Sequence, residues 1–119
     1  MAKKPMSNWG TWQQARNTLV TSLGMNMDAL NDSALASAER TQLGKNIERT
    51  LADMQEHALN GLRMLDLEAA DANLAALITA QSKEAKREAD RIKNATKDVQ
   101  KLTKLVGKLT ELVGLFGGL

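Results

Sequence analysis

The chain contains no cysteine. That excludes disulfides, thiolate metal centres and a cysteine nucleophile. Its one proline is Pro5, so beyond residue 5 no pyrrolidine ring interrupts a helix. Aromatic residues make up 3% of the 119 positions and there is no tyrosine, so any core must be aliphatic. The β-branched and aromatic runs bounded by turns that mark strands are missing. No stretch reaches the roughly 18 uncharged apolar residues of a membrane-spanning helix. The opening Met1-Ala-Lys-Lys-Pro-Met-Ser7 is positively charged but has no apolar run of signal-peptide type after it. The expectation is a soluble protein, cytoplasmic by default, with export that needs no cleaved signal left open.

What is present favours helix throughout. Apolar residues form 43% of the chain, and Ala, Leu, Lys, Glu and Gln are abundant. The length suits one domain at most. The expected fold class is all-α: a small helical bundle or helical hairpin with a long, heptad-patterned, amphipathic carboxy-terminal helix. After a flexible tail at 1–6, residues 7–119 form a single helical domain. Helices are expected at about 8–23, 33–59 and 67–116, with 92–119 as the amphipathic segment.

The local signals behind these bounds are ordinary ones. Ser7 or Asn8 can cap a first helix whose stripe is Trp12, Leu19, Val20 and Leu23, with Gly24 as a stop. Asp32 or Ser33 can cap a second helix. Its stripe, Leu43, Ile47, Leu51, Met54, Ala58 and Leu62, has a period close to 3.6. Asn60-Gly61 reads as a bend or break. Asp66 can cap a third helix, with no breaker before Gly107. Short connections make consecutive helices neighbours, so Ile47, Leu51 and Met54 are expected to face Leu74, Leu77 and Ile78.

The carboxy-terminal quarter holds the strongest pattern. With position a at Ile92, a is also Val99, Val106 and Val113, while d is Ala95, Leu102, Leu109 and Phe116. Position g adds Leu105, Leu112 and Leu119. Such a seam must pack on helices or another apolar surface. A third helix of about 50 residues would run to about 75 Å, longer than the second could cover. Ile92, Val99, Leu102, Leu105, Val106, Leu109, Leu112, Val113, Phe116 and Leu119 are therefore the candidate interaction face, to be covered by a second chain or a partner helix. A membrane surface is the alternative, and a fold-back or kink at Gly107 that buries the face within the chain is the third reading. Opposite it, Lys97, Lys101, Lys104 and Lys108 form a basic stripe, which fits either an exposed coiled-coil flank or an interfacial helix. Gln81, Glu88 and Arg91 interrupt the seam upstream.

Charge is uneven although the net is +2. Residues 28–71 hold nine acidic and four basic side chains, and residues 83–108 hold nine basic and four acidic. An acidic element followed by a basic one suits antiparallel pairing, within a chain or between chains.

No residue set specifies a reaction, a metal or a cofactor. His57 is the only histidine, with Asp53 four residues before it and Glu56 adjacent. That is a minimal general-base fragment without a nucleophile or second histidine, so it reads as a surface i,i+4 pair. Trp12 suits a core plug, whereas Trp9 has no such assignment. Nucleic-acid binding is disfavoured, because the basic stripe lacks aromatic or Arg-rich interleaving and a known module. The expected function is non-enzymatic: a helical assembly protein that self-associates or docks on a helical partner through the carboxy-terminal Leu/Val face. The alternative is a membrane-interface protein, pore-forming or lytic, using the same helix.

Overall fold

The computed structural model describes residues 8–64, 72–93 and 98–118. The tail at 1–6, Ser7, Asp66, Leu67, Asp71, Ala95, Lys97 and Leu119 lie outside the described residues. The chain forms an all-α bundle of four helices: α1 (Asn8–Ala29), α2 (Ser37–Met64), α3 (Ala72–Ile92) and α4 (Val99–Gly117). No strand occurs among the described residues.

The long third helix expected from the sequence is two helices. α3 ends at Ile92 and α4 begins at Val99, where Asp98 serves as N-cap and accepts from the amides of Gln100 and Lys101. Breaking there lets α4 double back antiparallel to α3. Lys108 of α4 lies 3.7 Å from Glu84 and 4.0 Å from Glu88 of α3. The overhang that a continuous helix would leave is removed by folding it onto the bundle. The heptad hid the break because Ile92 and Val99 each face the core of their own helix, so the frame passes through the connection in phase.

Two other breakers do not break. α1 runs through Gly24 to Ala29, because Met25, Asn26 and Ala29 are all buried beyond it. Their burial outweighs the roughly 1 kcal/mol cost of a helical glycine. α2 runs through Asn60-Gly61 to Met64. Gly61 serves packing instead: a Cβ there would lie 2.6 Å from Cζ2 of Trp12. At its other end α2 starts at Ser37, later than expected, with the Glu39 side chain reaching back to the Ala36 amide at 3.2 Å. Asp32 instead accepts from the Ala34 amide within the connection.

The arrangement also overturns the expected α2–α3 hairpin. α1 packs on α2, α3 and α4, and α4 packs on all three others, but α2 and α3 do not pack on each other among the described residues. α1 and α4 therefore form the central antiparallel pair, with α2 and α3 flanking it, in a flattened body of 54 × 26 × 17 Å. Hydrogen bonds fix the directions. Trp12 pairs with His57 and Asn26 with Asn46, so α1 and α2 are antiparallel. Thr11 meets Thr79 and Gln14 meets Ser82, so α1 and α3 are parallel. Asn46 meets Thr103 and Asp53 meets Thr110, so α2 and α4 are parallel. Among the described residues the acidic and basic segments accordingly do not pair as blocks: ion pairs form within α2, within α3 and between α3 and α4.

Candidate functional site

The candidate interaction face lies inside the bundle. Val99, Leu102, Leu105, Val106, Leu109, Leu112, Val113 and Phe116 are all buried, and Ile92 is buried on α3. Of the candidate face, only Leu119 falls outside the described residues. The expectation that a second chain must cover this face is thus corrected: α1, α2 and α3 cover it. They can do so because α2 does not spend its buried face on its own aliphatic stripe.

α2 is rotated roughly a quarter turn from the orientation its hydrophobicity suggests. Its buried side chains, among those described, are Leu43, Asn46, Thr50, Asp53, His57 and Asn60, a seam of spacing 3 and 4 that is polar after the first residue. The stripe expected in the core lies on its flank. Leu51 is 50% exposed and Leu62 64%, Ala58 is exposed, and Ile47 and Met54 are half-buried.

The polar seam is extensively hydrogen-bonded, as a buried polar surface must be. The Asn46 amide donates to Asn26 Oδ1 at 2.9 Å and to Thr103 Oγ1 at 3.0 Å, tying three helices together. Asn26 donates to the Ser22 carbonyl at 2.8 Å. Asp53 accepts from the Thr110 hydroxyl and lies 3.7 Å from Arg49 Nε. Burial raises the Asp53 pKa, and the Thr110 hydrogen bond and Arg49 pull it back down. A network of this kind sets helix register as well as stability.

His57 is not the surface residue expected; it is 1% exposed. Its ring stacks on Trp12 at 4.7 Å and meets Phe116 edge-on at 4.8 Å. Trp9 stacks on the far side of Trp12, also at 4.7 Å. All three aromatic side chains of the chain thus join one column with His57, from the surface of α1 to α4. Two reciprocal bonds lock it: Trp12 Nε1 donates to the His57 carbonyl at 2.7 Å, and His57 Nε2 donates to the Trp12 carbonyl at 2.9 Å. Nδ1 is left buried without a partner. Burial lowers the His57 pKa; the bond to the Trp12 carbonyl opposes this, and Arg16 adds a smaller downward push.

This geometry suits structure more than chemistry. Asp53 turns to Thr110 and Arg49, His57 turns to Trp12, and neither orients the other. Nδ1 lies in the packed column, away from solvent. Among the described residues, no group of three or more His, Asp or Glu is placed to hold a metal ion. A shallow polar cleft of about 390 Å³ between α1 and α3 is lined by Gln13, Gln14, Asn17, Thr21 and the solvated Lys86–Asp90 pair.

The basic stripe is divided. Lys101 and Lys104 are exposed, whereas Lys108 is half-buried between Glu84 and Glu88, where it clasps α4 to α3. Gly107 and Gly114 on α4 have open space around them. Glu88 and Arg91, read as seam interruptions, form an ion pair at 3.0 Å, and Gln81 is exposed. No helix among the described residues is long and apolar enough to cross a membrane. No family model matches the chain, and neither does a curated protein or a solved structure.

A candidate surface that sequence reasoning missed is the outside of the α1–α2 pair. The α2 flank lies on the side that faces α1, since Gly61 and His57 meet Trp12 while Asn46, Asp53 and Asn60 reach α4. Across the antiparallel pair, Trp9 is level with Leu62, Val20 with Leu51, and Met27 with Gly44. Trp9, Val20 and Met27 are 40%, 45% and 52% exposed. One apolar face thus spans both helices. Its signal was in the sequence, because α1 and α2 each carry more apolar residues than a single buried stripe can use.

Proposed function

We propose that this chain is a non-enzymatic helical assembly protein that docks on another helical surface, its own or a partner's, through the outer face of α1 and α2. The observation that carries the reading is that face: five large apolar side chains, Trp9, Val20, Met27, Leu51 and Leu62, each 40% exposed or more. They share one side of a bundle whose core is already complete without them. Singly exposed apolar residues need no explanation, but a contiguous patch marks an interaction site. The contact surface moves from α4 to α1–α2 because the Leu/Val seam is occupied within the chain. Sedimentation equilibrium of the full chain over a wide concentration range tests this. Mass should rise with concentration, and Leu51→Asp should abolish the rise while leaving the helical circular dichroism unchanged. A wild-type chain that stays monomeric, with no effect of Leu51→Asp on any binding surface presented to it, removes the reading.

A membrane-interface role is the second reading, and one observation favours it. The most apolar helix, α4, rests against the most polar buried face in the molecule, that of α2. A helix so partnered gives up less on leaving for lipid than one packed on leucines. Lys101 and Lys104 already lie exposed along it, placed to meet anionic headgroups. Co-sedimentation with anionic liposomes at low salt should retain the chain, and Lys101→Glu with Lys104→Glu should weaken retention. Absence of retention rejects this role.

A further inference from the structure

His57 of α2 sits where three helices meet, stacked on Trp12 of α1 and against Phe116 of α4. Toward α1 it is held three ways: by the stack, by Nε2 donating to the Trp12 carbonyl, and by Trp12 Nε1 donating to the His57 carbonyl. Toward α4 its ring contact is the apolar Phe116. With Nε2 carrying the hydrogen, the buried Nδ1 is a bare lone pair without a partner. A proton there would place a full charge, and a donor with no acceptor, in a site 1% exposed. That is among the costliest groups a core can hold.

No carboxylate stands ready to receive it. From α1 the charged group near the ring is Arg16, which repels a second cation. On α2 itself, Asp53 is turned to Thr110 and Arg49, and Glu56 is exposed. The one acid of α4 is Glu111, which is exposed. α3 does not pack on α2, and no ion pair reaches His57, among the described residues. Water must therefore meet the charged ring. The α1 side tolerates the proton, because the stack on Trp12 gains a cation–π attraction and Nε2 still donates. The α4 side gains nothing. There the neighbouring tie is a long one, Asn60 Nδ2 to the Val113 carbonyl at 3.4 Å. Parting that contact uncovers Leu109, Leu112, Val113 and Phe116, on a helix that carries three lysines against one glutamate.

We infer that the Trp12–His57–Phe116 column is an acid-sensitive latch: protonation of His57 parts the carboxy-terminal turns of α4 from α2 and yields its Leu/Val face to anionic lipid. This rests on the membrane-interface reading above and supplies its trigger.

The size of the effect follows from linkage. In the opened form the imidazole titrates at its ordinary 6.5; in the closed form burial holds it lower. Acid therefore favours the opened form, by as much as about thirtyfold between about pH 7.5 and about pH 5. Asp53 works the other way, since acid relieves the cost of its burial in the closed form.

Two measurements on the full chain at about pH 7.5 and about pH 5 test the latch. In amide hydrogen exchange, corrected for the intrinsic rate, α4 from Leu109 onward should exchange about tenfold faster or more in acid, while α1 and α2 change by less than about threefold. In co-sedimentation with vesicles of equal parts phosphatidylcholine and phosphatidylglycerol, the partition coefficient should rise about tenfold or more. His57→Gln keeps a donor for the Trp12 carbonyl but takes no proton, and should abolish both acid responses. Asp53→Asn should keep them. The exchange pattern of the wild-type chain decides the matter without any variant: acid that speeds all four helices alike is general unfolding and overturns the latch. A full acid response in His57→Gln, or its loss in Asp53→Asn, also overturns it. Retention that is equal at the two pH values overturns the latch and leaves the membrane reading standing. No retention at either pH overturns both.

Discussion

α4 and α2 lie side by side, parallel, and both bury residues at heptad-like spacing, yet what they bury is opposite. α4 buries Val99, Leu102, Leu105, Val106, Leu109, Leu112, Val113 and Phe116. α2 buries Leu43 and then Asn46, Thr50, Asp53, His57 and Asn60. An isolated amphipathic helix turns its aliphatic stripe inward. α2 does not, because its neighbours supply specific partners for the polar side: Asn26 and Trp12 from α1, Thr103 and Thr110 from α4. The stripe on its flank is left to the surface. Periodicity establishes that a segment is a helix; the chemistry offered across the interface selects the face that goes in.

The sharpest way to break this contrast is to truncate both helices. Leu109→Ala removes a side chain 1% exposed and should cost about 2–5 kcal/mol of unfolding free energy in urea titrations. A cost below about 1 kcal/mol would mean that α4 is not the core helix.

Next in size is the fit of α1 against α2. Gly61→Ala places a Cβ 2.6 Å from Trp12 Cζ2, and Trp12 is buried and tied to the His57 carbonyl. The ring cannot step aside without losing that bond, so the substitution should destabilise by about 1–3 kcal/mol despite alanine's better helix propensity. Stabilisation on thermal unfolding would show that the Trp12 column is not where the helices meet.

A smaller, pH-dependent effect tests whether the α2 seam is sealed. The folded pKa of His57 lies below its ordinary 6.5, so the unfolded chain binds the proton more readily. Stability from this group is full above pH 6.5 and is lost as pH falls from there through the folded value. Asp53 acts in the opposite sense. Its folded pKa lies above 3.8, so the cost of burying its charge is relieved as pH falls through the folded value. Stability should therefore decline first on acidification below about 6.5, and His57→Gln should flatten that decline. An unchanged pH profile in His57→Gln would mean that the histidine is solvated.

The smallest effect is expected on the flank. Leu51→Ala should change the stability of the single chain by no more than about 0.5 kcal/mol, since the side chain is 50% exposed. A loss of several kcal/mol would return the aliphatic stripe to the core and reverse the comparison.

Some elements were legible from the sequence and others were not, for separable reasons. α4 was readable because its a, d and g positions are uniformly apolar. The break before it was not, because the heptad stays in phase from Ile92 to Val99; the available signal was Asp98, a good N-cap just before an apolar run. Gly24 and Gly61 looked like stops because a glycine's local cost is visible and the burial of Met25 or the approach of Trp12 is not. His57 and Asp53 looked like a surface pair because polar residues are usually outside. Only their partners on α1 and α4 make burial affordable.

The sequence by itself determined that this protein is all-α, that its core is aliphatic, and that the Leu/Val seam of residues 99–116 must be covered. These follow from composition and local periodicity, which act over a few residues. Tertiary structure alone decided that the seam is covered from within, that α2 and α3 stand apart on either side of α1 and α4, and that α2 buries its asparagines and histidine while its leucines face outward. Those outcomes depend on which side chains meet across helices 68 positions apart and more, as Thr11 and Thr79 do and as α1 and α4 do. Helical periodicity carries no information over that span.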